Sequence, residues 1–293
     1  MPSRFINRFL HKSWDERFMT ARFFVRKGLA KIPYVLVPVR MKMSPSDEIQ
    51  FWWSYVLPYF EATRGFFDYW GHDLGDLRFL WKNLKPGNVF LDIGAHHGIY
   101  SIVAAKKLGT SGSVVAFEPA FREYRRLCLH LRLNRLRSVR AEQVALGSGV
   151  SGRTFFQVIE GDSTRGGLRP PLSEDRVSEV MVETARLDDY VSQFPLKRVD
   201  FVKLDVEGGE REVIQGASLI LTKFRPIFIC EVLDATTHAW GYDARKIISM
   251  LQNFDFNWFE IRLDGSITPH EIKEQYPDIR NYVAIPKEKC AIG

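Results

Sequence analysis

The sequence predicts an α/β protein with a mostly parallel sheet, and three observations support this prediction. From Gly87 onwards, short apolar runs alternate with amphipathic stretches, which is the pattern of repeated strand–helix units. A glycine-containing turn follows the first of these runs. Acidic residues close several of the later runs. Because ligands bind at the carboxyl ends of strands in open parallel sheets, these acids predict a binding site at one sheet edge.

Length and composition limit the class of protein. The chain has 293 residues, of which 45% are apolar and 26% are charged, so it can bury a substantial core. No apolar run approaches the ~20 residues of a membrane-spanning helix, and basic residues interrupt every candidate signal core. The three cysteines lack metal-binding spacing, which indicates a reducing compartment. We therefore predict a cytoplasmic protein.

The positive charge is concentrated in residues 1–45. This segment contains ten Lys and Arg residues against only Asp15 and Glu16, whereas the rest of the chain has 31 bases and 33 acids. The predicted body therefore lacks the basic surface of a nucleic-acid-binding protein. At helical spacing the arginines share one side, which predicts a basic amphipathic arm. Residues 1–30 would either contact an anionic membrane peripherally or pack on the body or on a second subunit of a homo-oligomer.

An aromatic segment follows the arm. Residues 51–71 include ten aromatic side chains, and we assign 46–84 to an aromatic-rich helical cap. Its rings would either fill a core or form a wall over a substrate. The main domain is predicted over residues 85–288.

The first strand of that domain, 89–93, leads into a turn with the pattern Asp92-x-Gly94-x-x-x-Gly98. A dinucleotide site has Gly-x-Gly-x-x-Gly instead, and a carboxylate at the strand end would repel a pyrophosphate. The pattern suits a cationic ligand without phosphate, such as S-adenosylmethionine. Glu118 ends the second strand, 114–117, where an acid can accept both hydroxyl hydrogens of a ribose.

The third strand is predicted over 139–144 and is followed by Ala145-Leu146-Gly147. Residues 148–183 read as an insertion, in which 155–158 and 180–182 would pair around a polar loop, 160–167. Loops of this composition beside a ligand site either contact the substrate or are simple turns.

Four acids follow the next two strands. Asp205 ends the strand 199–205, Glu207 and Glu210 follow it, and Glu231 ends the strand 227–231. Asp205, Glu207 and Glu231 are candidate catalytic groups, although solvated strand ends would give the same pattern. Glu210 has a simpler interpretation, since an acid in the first turn of a helix favours the helix dipole.

These motifs resemble those of the FkbM-type S-adenosylmethionine-dependent methyltransferases. The similar segments are 87–101, 116–119, 145–147, 187–190 and 199–217, and the Lys-x-Asp-x-Glu-Gly-x-x-Glu element is the most specific of them. The resemblance implies a Rossmann-like class I methyltransferase fold with a seven-stranded sheet. Its last strand, expected at 281–286, would be antiparallel, and the arm and the aromatic segment would form an N-terminal extension.

The resemblance also implies roles for individual residues. The methionine part of the cofactor would lie against the turn, the ribose against Glu118, the adenine near Ala145 and Leu146, and the methyl group near Asp205 and Glu207. The residues expected around the methionine part are Asp92, Gly94, Ala95, His96 and Gly98. The family usually has asparagine where this chain has His96.

We expect a small-molecule hydroxyl acceptor, on a sugar or a natural-product scaffold. An alcohol needs a base or a metal to lose its proton. We assign that role to Asp205 and Glu207 with Glu231 as a third acid, and the same three carboxylates could bind Mg²⁺. Two alternatives are a nicotinamide-type oxidoreductase that uses Glu118 and a membrane-surface protein with a degenerate cofactor pocket.

Overall fold

The computed structural model describes residues 35–55, 73–159, 162–169, 177–194 and 196–290. The strands are β1 Val35–Lys42, β2 Glu48–Tyr55, β3 Val89–Ile93, β4 Ser113–Phe117, β5 Val139–Glu142, β6 Ala145–Leu146, β7 Gly152–Ile159, β8 Asp162–Gly167, β9 Val177–Ala185, β10 Phe201–Leu204, β11 Ile227–Glu231, β12 Phe256–Ile261, β13 Ile267–Pro269 and β14 Asn281–Pro286. The helices are α1 at 73–83, α2 Ile99–Leu108, α3 Phe121–Leu133, α4 Leu187–Gln193, α5 Glu210–Gln215, α6 Asp234–Thr237 and α7 Arg245–Gln252. None of them combines the length and the apolar character that crossing a bilayer requires.

The main sheet has the strand order β13-β12-β14-β11-β10-β3-β4-β5. The five strands from β11 to β5 are mutually parallel, and β14 lies antiparallel between β11 and β12. This confirms the mostly parallel sheet and the antiparallel strand at 281–286. The short strand β13 pairs with β12 and adds an eighth strand to the expected seven.

Helices cover both faces of the main sheet, which explains why its central strands are apolar throughout. All five residues of β3 are buried. Phe90 faces one apolar cluster, which includes residues of α2 and of the N-terminal hairpin. Leu91 and Ile93 face a second cluster, which includes residues of α5 and α7. Strands buried on both faces have no polar alternation, as this sequence shows.

The strands β7, β8 and β9 of the insertion form, together with β6, a separate four-stranded sheet with the order β6-β9-β7-β8. The predicted pairing of its two long strands is confirmed, because β7 and β9 are antiparallel with Phe155 opposite Met181. The segment that we expected to be a loop, 160–167, contains the strand β8.

The N-terminal extension differs from the expected helical arm and cap. Within the described residues, α1 is helical, but β1 and β2 form an antiparallel hairpin. The side chains here alternate between buried and exposed, as they do in a strand with one buried face. Phe51 and Trp53 are buried, whereas Trp52 between them is exposed. Proline is tolerated at position 38 of β1 because the backbone groups of Trp52, its neighbour on β2, bond instead to the Asn134 side chain. Residues 1–34 and 56–72, with most of the arm and part of the cap, lie outside the described residues.

A buried histidine attaches this hairpin to the glycine turn. His130 Nδ1 donates to the His97 carbonyl oxygen (2.8 Å), so Nε2 of the neutral ring accepts from the Ser54 backbone N–H (3.0 Å). The Trp53 ring stacks on the His130 ring, with 3.9 Å between the ring centroids. Burial, assisted by the charge of Arg126, lowers the pKa of His130 to about 4.

This contact predicts a specific loss of stability in acid. The unfolded chain takes up a proton at His130 near pH 6.5, but the folded chain does so only near pH 4, so stability falls as the pH decreases through this interval. Between pH 7 and pH 5, His130 should account for about 2 kcal/mol of the lost unfolding free energy. Urea denaturation of the wild type and of His130→Gln, which does not titrate, measures this share. Parallel pH–stability curves for the two proteins would contradict the prediction.

Candidate active site

A cleft of about 900 Å³, including the part open to solvent, lies at the carboxyl ends of β3, β4 and β10. The ends of these strands supply Gly94, Glu118 and Asp205 to its wall. The parallel order of the strands therefore brings three sequence-predicted positions together, as expected for an open α/β sheet.

The turn after β3 requires glycine at two positions. Gly94 has a φ of +81°, and a Cβ atom there would lie 1.7 Å from the Asp205 carbonyl oxygen. Gly98 has a φ of +87°, and its Cβ would lie 2.4 Å from Leu127 Cδ1. The turn can therefore pack against both β10 and α3 only without side chains at these positions. The backbone N–H groups of Gly94 and Ala95 both donate to the Phe117 carbonyl oxygen.

His96 occupies the left-handed region, with a φ of +49°. Histidine, like asparagine, is enriched in this conformation among residues other than glycine, so histidine in place of the asparagine that the resemblance leads us to expect preserves the turn. The His96 backbone N–H donates to Glu118 Oε2 (2.8 Å), and the His96 ring stacks on the His97 ring.

Glu118 is held in place by main-chain groups. Its Oε1 accepts from the Ala120 N–H (2.9 Å) and its Oε2 from the His96 N–H. The side chain is buried, and burial raises its pKa to about 8 despite these two hydrogen bonds. At neutral pH the group is mostly protonated, and hydroxyl donors from a ligand would favour its ionised form.

Asp92, Ala95 and Gly98 lie behind the cleft surface and are not among the described residues that line it. The Asp92 carboxylate accepts a hydrogen bond from Ser101 Oγ (2.5 Å), and burial raises its pKa to about 6. Asp92 therefore stabilises the chain around the turn through its hydrogen bond with Ser101 and does not line the cleft. Its predicted contact with a cofactor stays a prediction.

One wall of the cleft is apolar. Ala145 and Leu146 line it, together with Phe156, Val158 and Leu168 of the insertion. The insertion therefore contributes directly to the cleft, and its apolar side chains cover the site predicted for a flat ring such as adenine.

The acidic side of the cleft contains Asp205 and Glu207. The Asp205 backbone N–H donates to the Ile93 carbonyl oxygen, and its Oδ2 accepts from Lys203 Nζ (2.7 Å). Glu207 has a φ of +54°, a strained conformation for a residue other than glycine. The Trp240 ring nitrogen fixes this bend by donating to the Glu207 carbonyl oxygen (3.1 Å). Trp240 also lines the cleft, and it was not predicted because it belongs to no motif.

Glu231 is buried behind this side and clusters with Asp205 and Glu210, not with Glu207 as the predicted metal site requires. One oxygen of each of the three residues lies within 4.8 Å of the others. Burial, followed by the neighbouring charge of Asp205, raises the pKa of Glu231 well above its usual range. Burial also raises the pKa of Glu210 to about 7, and its Oε1 accepts from the Val206 N–H. Glu210 thus closes the bend before α5, consistent with its interpretation as a first-turn acid.

Comparison with known proteins gives the class. The model of the methyltransferase FkbM domain matches residues 92–257. The 2-O-methyltransferase NoeI of Sinorhizobium fredii is 31% identical over 186 residues, which are 58% of this chain and 74% of that protein. Methyltransferase 1 of Beauveria bassiana is 29% identical over 148 residues, 45% of this chain and 59% of that protein. The crystal structure of an O-methyltransferase from Bacillus cereus in complex with SAH is 12% identical, covers 73% of this chain and 78% of that chain, and has a TM-score of 0.39.

The sheet order and the acid-bearing glycine turn define a Rossmann-like methyltransferase fold of class I. Because the family model covers more than half of its residues, the chain belongs to the FkbM family of S-adenosylmethionine-dependent methyltransferases. The family does not support the oxidoreductase alternative.

Proposed function

We propose that this chain transfers a methyl group from S-adenosylmethionine to a hydroxyl group of a sugar or natural-product-type small molecule. The observation that carries the proposal is the shared cleft, which is lined by the turn residues Gly94 and His96, by Glu118, and by Asp205 and Glu207. The name of the relative NoeI, a 2-O-methyltransferase, favours oxygen as the methylated atom.

The residues present fit this cofactor. Glu118 is a buried carboxyl group with both oxygens directed by main-chain donors, and in its ionised form it can accept the two hydrogens of a ribose diol. Gly94 and His96 of the turn line the cleft, so a ligand can lie against this part of the turn. Ala145 and Leu146 provide the apolar wall for the base. S-adenosylmethionine supplies the methyl group, and the acidic side chains of Asp205 and Glu207 in the cleft suit a cationic ligand.

The acceptor proton needs a destination as the new carbon–oxygen bond forms and the carbon–sulfur bond breaks. Glu118 and Glu123 also line the cleft, but Asp205 and Glu207 follow β10, where the family resemblance puts the methyl group, so we assign to them the binding of the acceptor hydroxyl and the uptake of its proton. Glu231 is buried behind them without direct access to the cleft, and burial favours the neutral form of its carboxyl group. We leave Mg²⁺ out of the proposed reaction because the Lys203 ammonium already occupies Asp205 Oδ2.

The proposed partner is a small molecule and not a nucleic acid. Membrane contact through residues 1–30, a homo-oligomer and a cytoplasmic location stay predictions, since residues 1–34 lie outside the described part of the chain. Liposome flotation of the full chain, compared with a chain that lacks residues 1–30 and keeps β1, tests the membrane contact.

The affinity for S-adenosylhomocysteine should depend on pH through Glu118. Below about pH 8, binding must first remove the Glu118 proton, so affinity should increase from pH 6 to pH 8 and then level off. Glu118→Gln should weaken binding by about tenfold to a hundredfold and abolish this pH dependence. Isothermal titration calorimetry measures both effects. The matched control is Glu179→Gln, which changes an exposed acid on β9 and should behave as the wild type. An equal pH dependence in Glu118→Gln would contradict the assignment.

Asp205→Asn should abolish methyl transfer and retain affinity for S-adenosylhomocysteine. The amide keeps the shape of the carboxylate but cannot accept a proton. Transfer of a radiolabelled methyl group is measured against a panel of saccharides and hydroxylated natural products, after an acceptor has been found with the wild type. Unchanged turnover in this variant would remove Asp205 from the reaction. A panel in which only amine-bearing compounds are methylated would overturn the proposed hydroxyl acceptor.

A further inference from the structure

The central strand β10 carries a buried ammonium group. The Lys203 side chain is 2% exposed, and a lysine in this position is tolerated only when its charge is paired. Its Nζ donates to Asp205 Oδ2 (2.7 Å) and to Asn281 Oδ1 (3.0 Å), and it lies 5.1 Å from the centroid of the Tyr100 ring. Oxygens and an aromatic ring therefore surround the ammonium.

Asn281 is held from its other side by α1. Its Nδ2 donates to Asp76 Oδ2 (2.7 Å), and the Tyr100 hydroxyl donates to the same oxygen (3.1 Å). A lysine ammonium only donates hydrogen bonds, and a carboxylate only accepts them. The Asn281 amide can therefore bond to both neighbours only with its oxygen towards Lys203 and its nitrogen towards Asp76. A continuous chain of hydrogen bonds thus runs from α1 through Asp76, Asn281 and Lys203 to Asp205 in the cleft.

Lys203 keeps its charge in this chain. Burial lowers the pKa of Lys203, but the charge of Asp205 and the hydrogen bond to it raise the pKa above its ordinary value. Lys203 is therefore an ammonium group at neutral pH and does not act as a base. Its other electrostatic neighbours include Asp92 on the adjacent strand β3 and Glu231 on β11.

We propose that Asp76 and Asn281 are positioning residues that hold the Lys203 ammonium against Asp205, and that this ammonium limits the preference of the cleft for the positively charged cofactor over its neutral product. The proposal rests on the proposed function, in which the sulfonium lies near Asp205. An unpaired Asp205 carboxylate would bind the sulfonium strongly before the reaction. The positive charge on sulfur disappears as the methyl group leaves, so such binding would stabilise the reactants more than the transition state. Pairing with Lys203 reduces this unproductive stabilisation.

The test compares affinities for S-adenosylmethionine and S-adenosylhomocysteine, which differ in the charge on sulfur. Calorimetry on the full chain gives the ratio of the two dissociation constants. In Lys203→Met the preference for S-adenosylmethionine should increase by about tenfold, the order expected when one partly screened charge near a cation is removed. Lys203→Arg retains the charge and should restore the wild-type ratio.

The positioning residues are tested through Lys203. Asn281→Leu and Asp76→Leu should shift the ratio in the same direction by a smaller factor, because the ammonium then lacks its second support. In a Lys203→Met background, Asn281→Leu should change the ratio no further. The matched control is Asn88→Leu, which removes a buried asparagine at the opposite end of β3. Asn88→Leu should lower the thermal stability and leave the ratio of the two dissociation constants unchanged, because it affects only the stability of the fold.

The outcomes separate the two proposals. If the wild type binds neither compound, the proposed function fails. If it binds both and Lys203→Met has the wild-type ratio, the role of Lys203 is overturned and the proposed function stands. If Lys203→Met does not fold, an unchanged ratio in both Asn281→Leu and Asp76→Leu overturns the role in the same way.

Discussion

The parallel pairing of β3 with β10 is the constraint on which the cleft depends. The two strands run in register, with Asp92 opposite Lys203 and Ile93 opposite Leu204, so both end at the same level of the sheet. The turn after β3 then meets the first residue after β10, and Gly94 packs directly on the Asp205 carbonyl. The backbone geometry alone therefore brings the glycine turn and the acidic residues after β10 next to each other.

Burial of acidic groups is the electrostatic consequence of this arrangement. Glu118, Asp92, Glu210 and Glu231 all lie in places where burial raises the pKa of a carboxyl group. Such groups are costly for a folded chain unless donors or cations satisfy them. Glu118 has backbone donors, and Asp205 has Lys203, whereas Oε2 of Glu210 and Oε2 of Glu231 have no hydrogen-bond partner. Burial favours the neutral forms of these four groups, and a cationic ligand in the cleft would favour their ionised forms, in agreement with the cofactor of the family.

The local pattern of apolar, glycine and acidic residues was sufficient to predict the main sheet and the glycine turn. Alternating apolar and amphipathic segments predicted the parallel strands, and Glu118 and Asp205 lie in the cleft because strand ends of a parallel sheet converge. The N-terminal hairpin was not predicted, because its aromatic residues also fit a helical pattern. The contacts that fix it, such as Ser54 to His130, join residues far apart in the chain.

The missed parts of the site depend on long-range contacts of the same kind. Trp240 reaches the cleft only because its indole packs on the bend at Glu207. Asn281 and Asp76 are 205 positions apart, and neither belongs to a motif. The predicted acidic group of Asp205, Glu207 and Glu231 also differs from the observed cluster, in which Asp205, Glu210 and Glu231 each bring one oxygen within 4.8 Å of the others.

A crystal structure with bound S-adenosylhomocysteine tests the central claim most directly, namely that the turn after β3 and the end of β10 form one binding site for the methyl donor. The account predicts the ribose hydroxyls within hydrogen-bond distance of the Glu118 carboxylate, the base against Ala145 and Leu146, and the sulfur atom open towards Asp205 and Glu207. A ligand bound with its ribose away from Glu118, or with its sulfur facing the opposite wall, would contradict it.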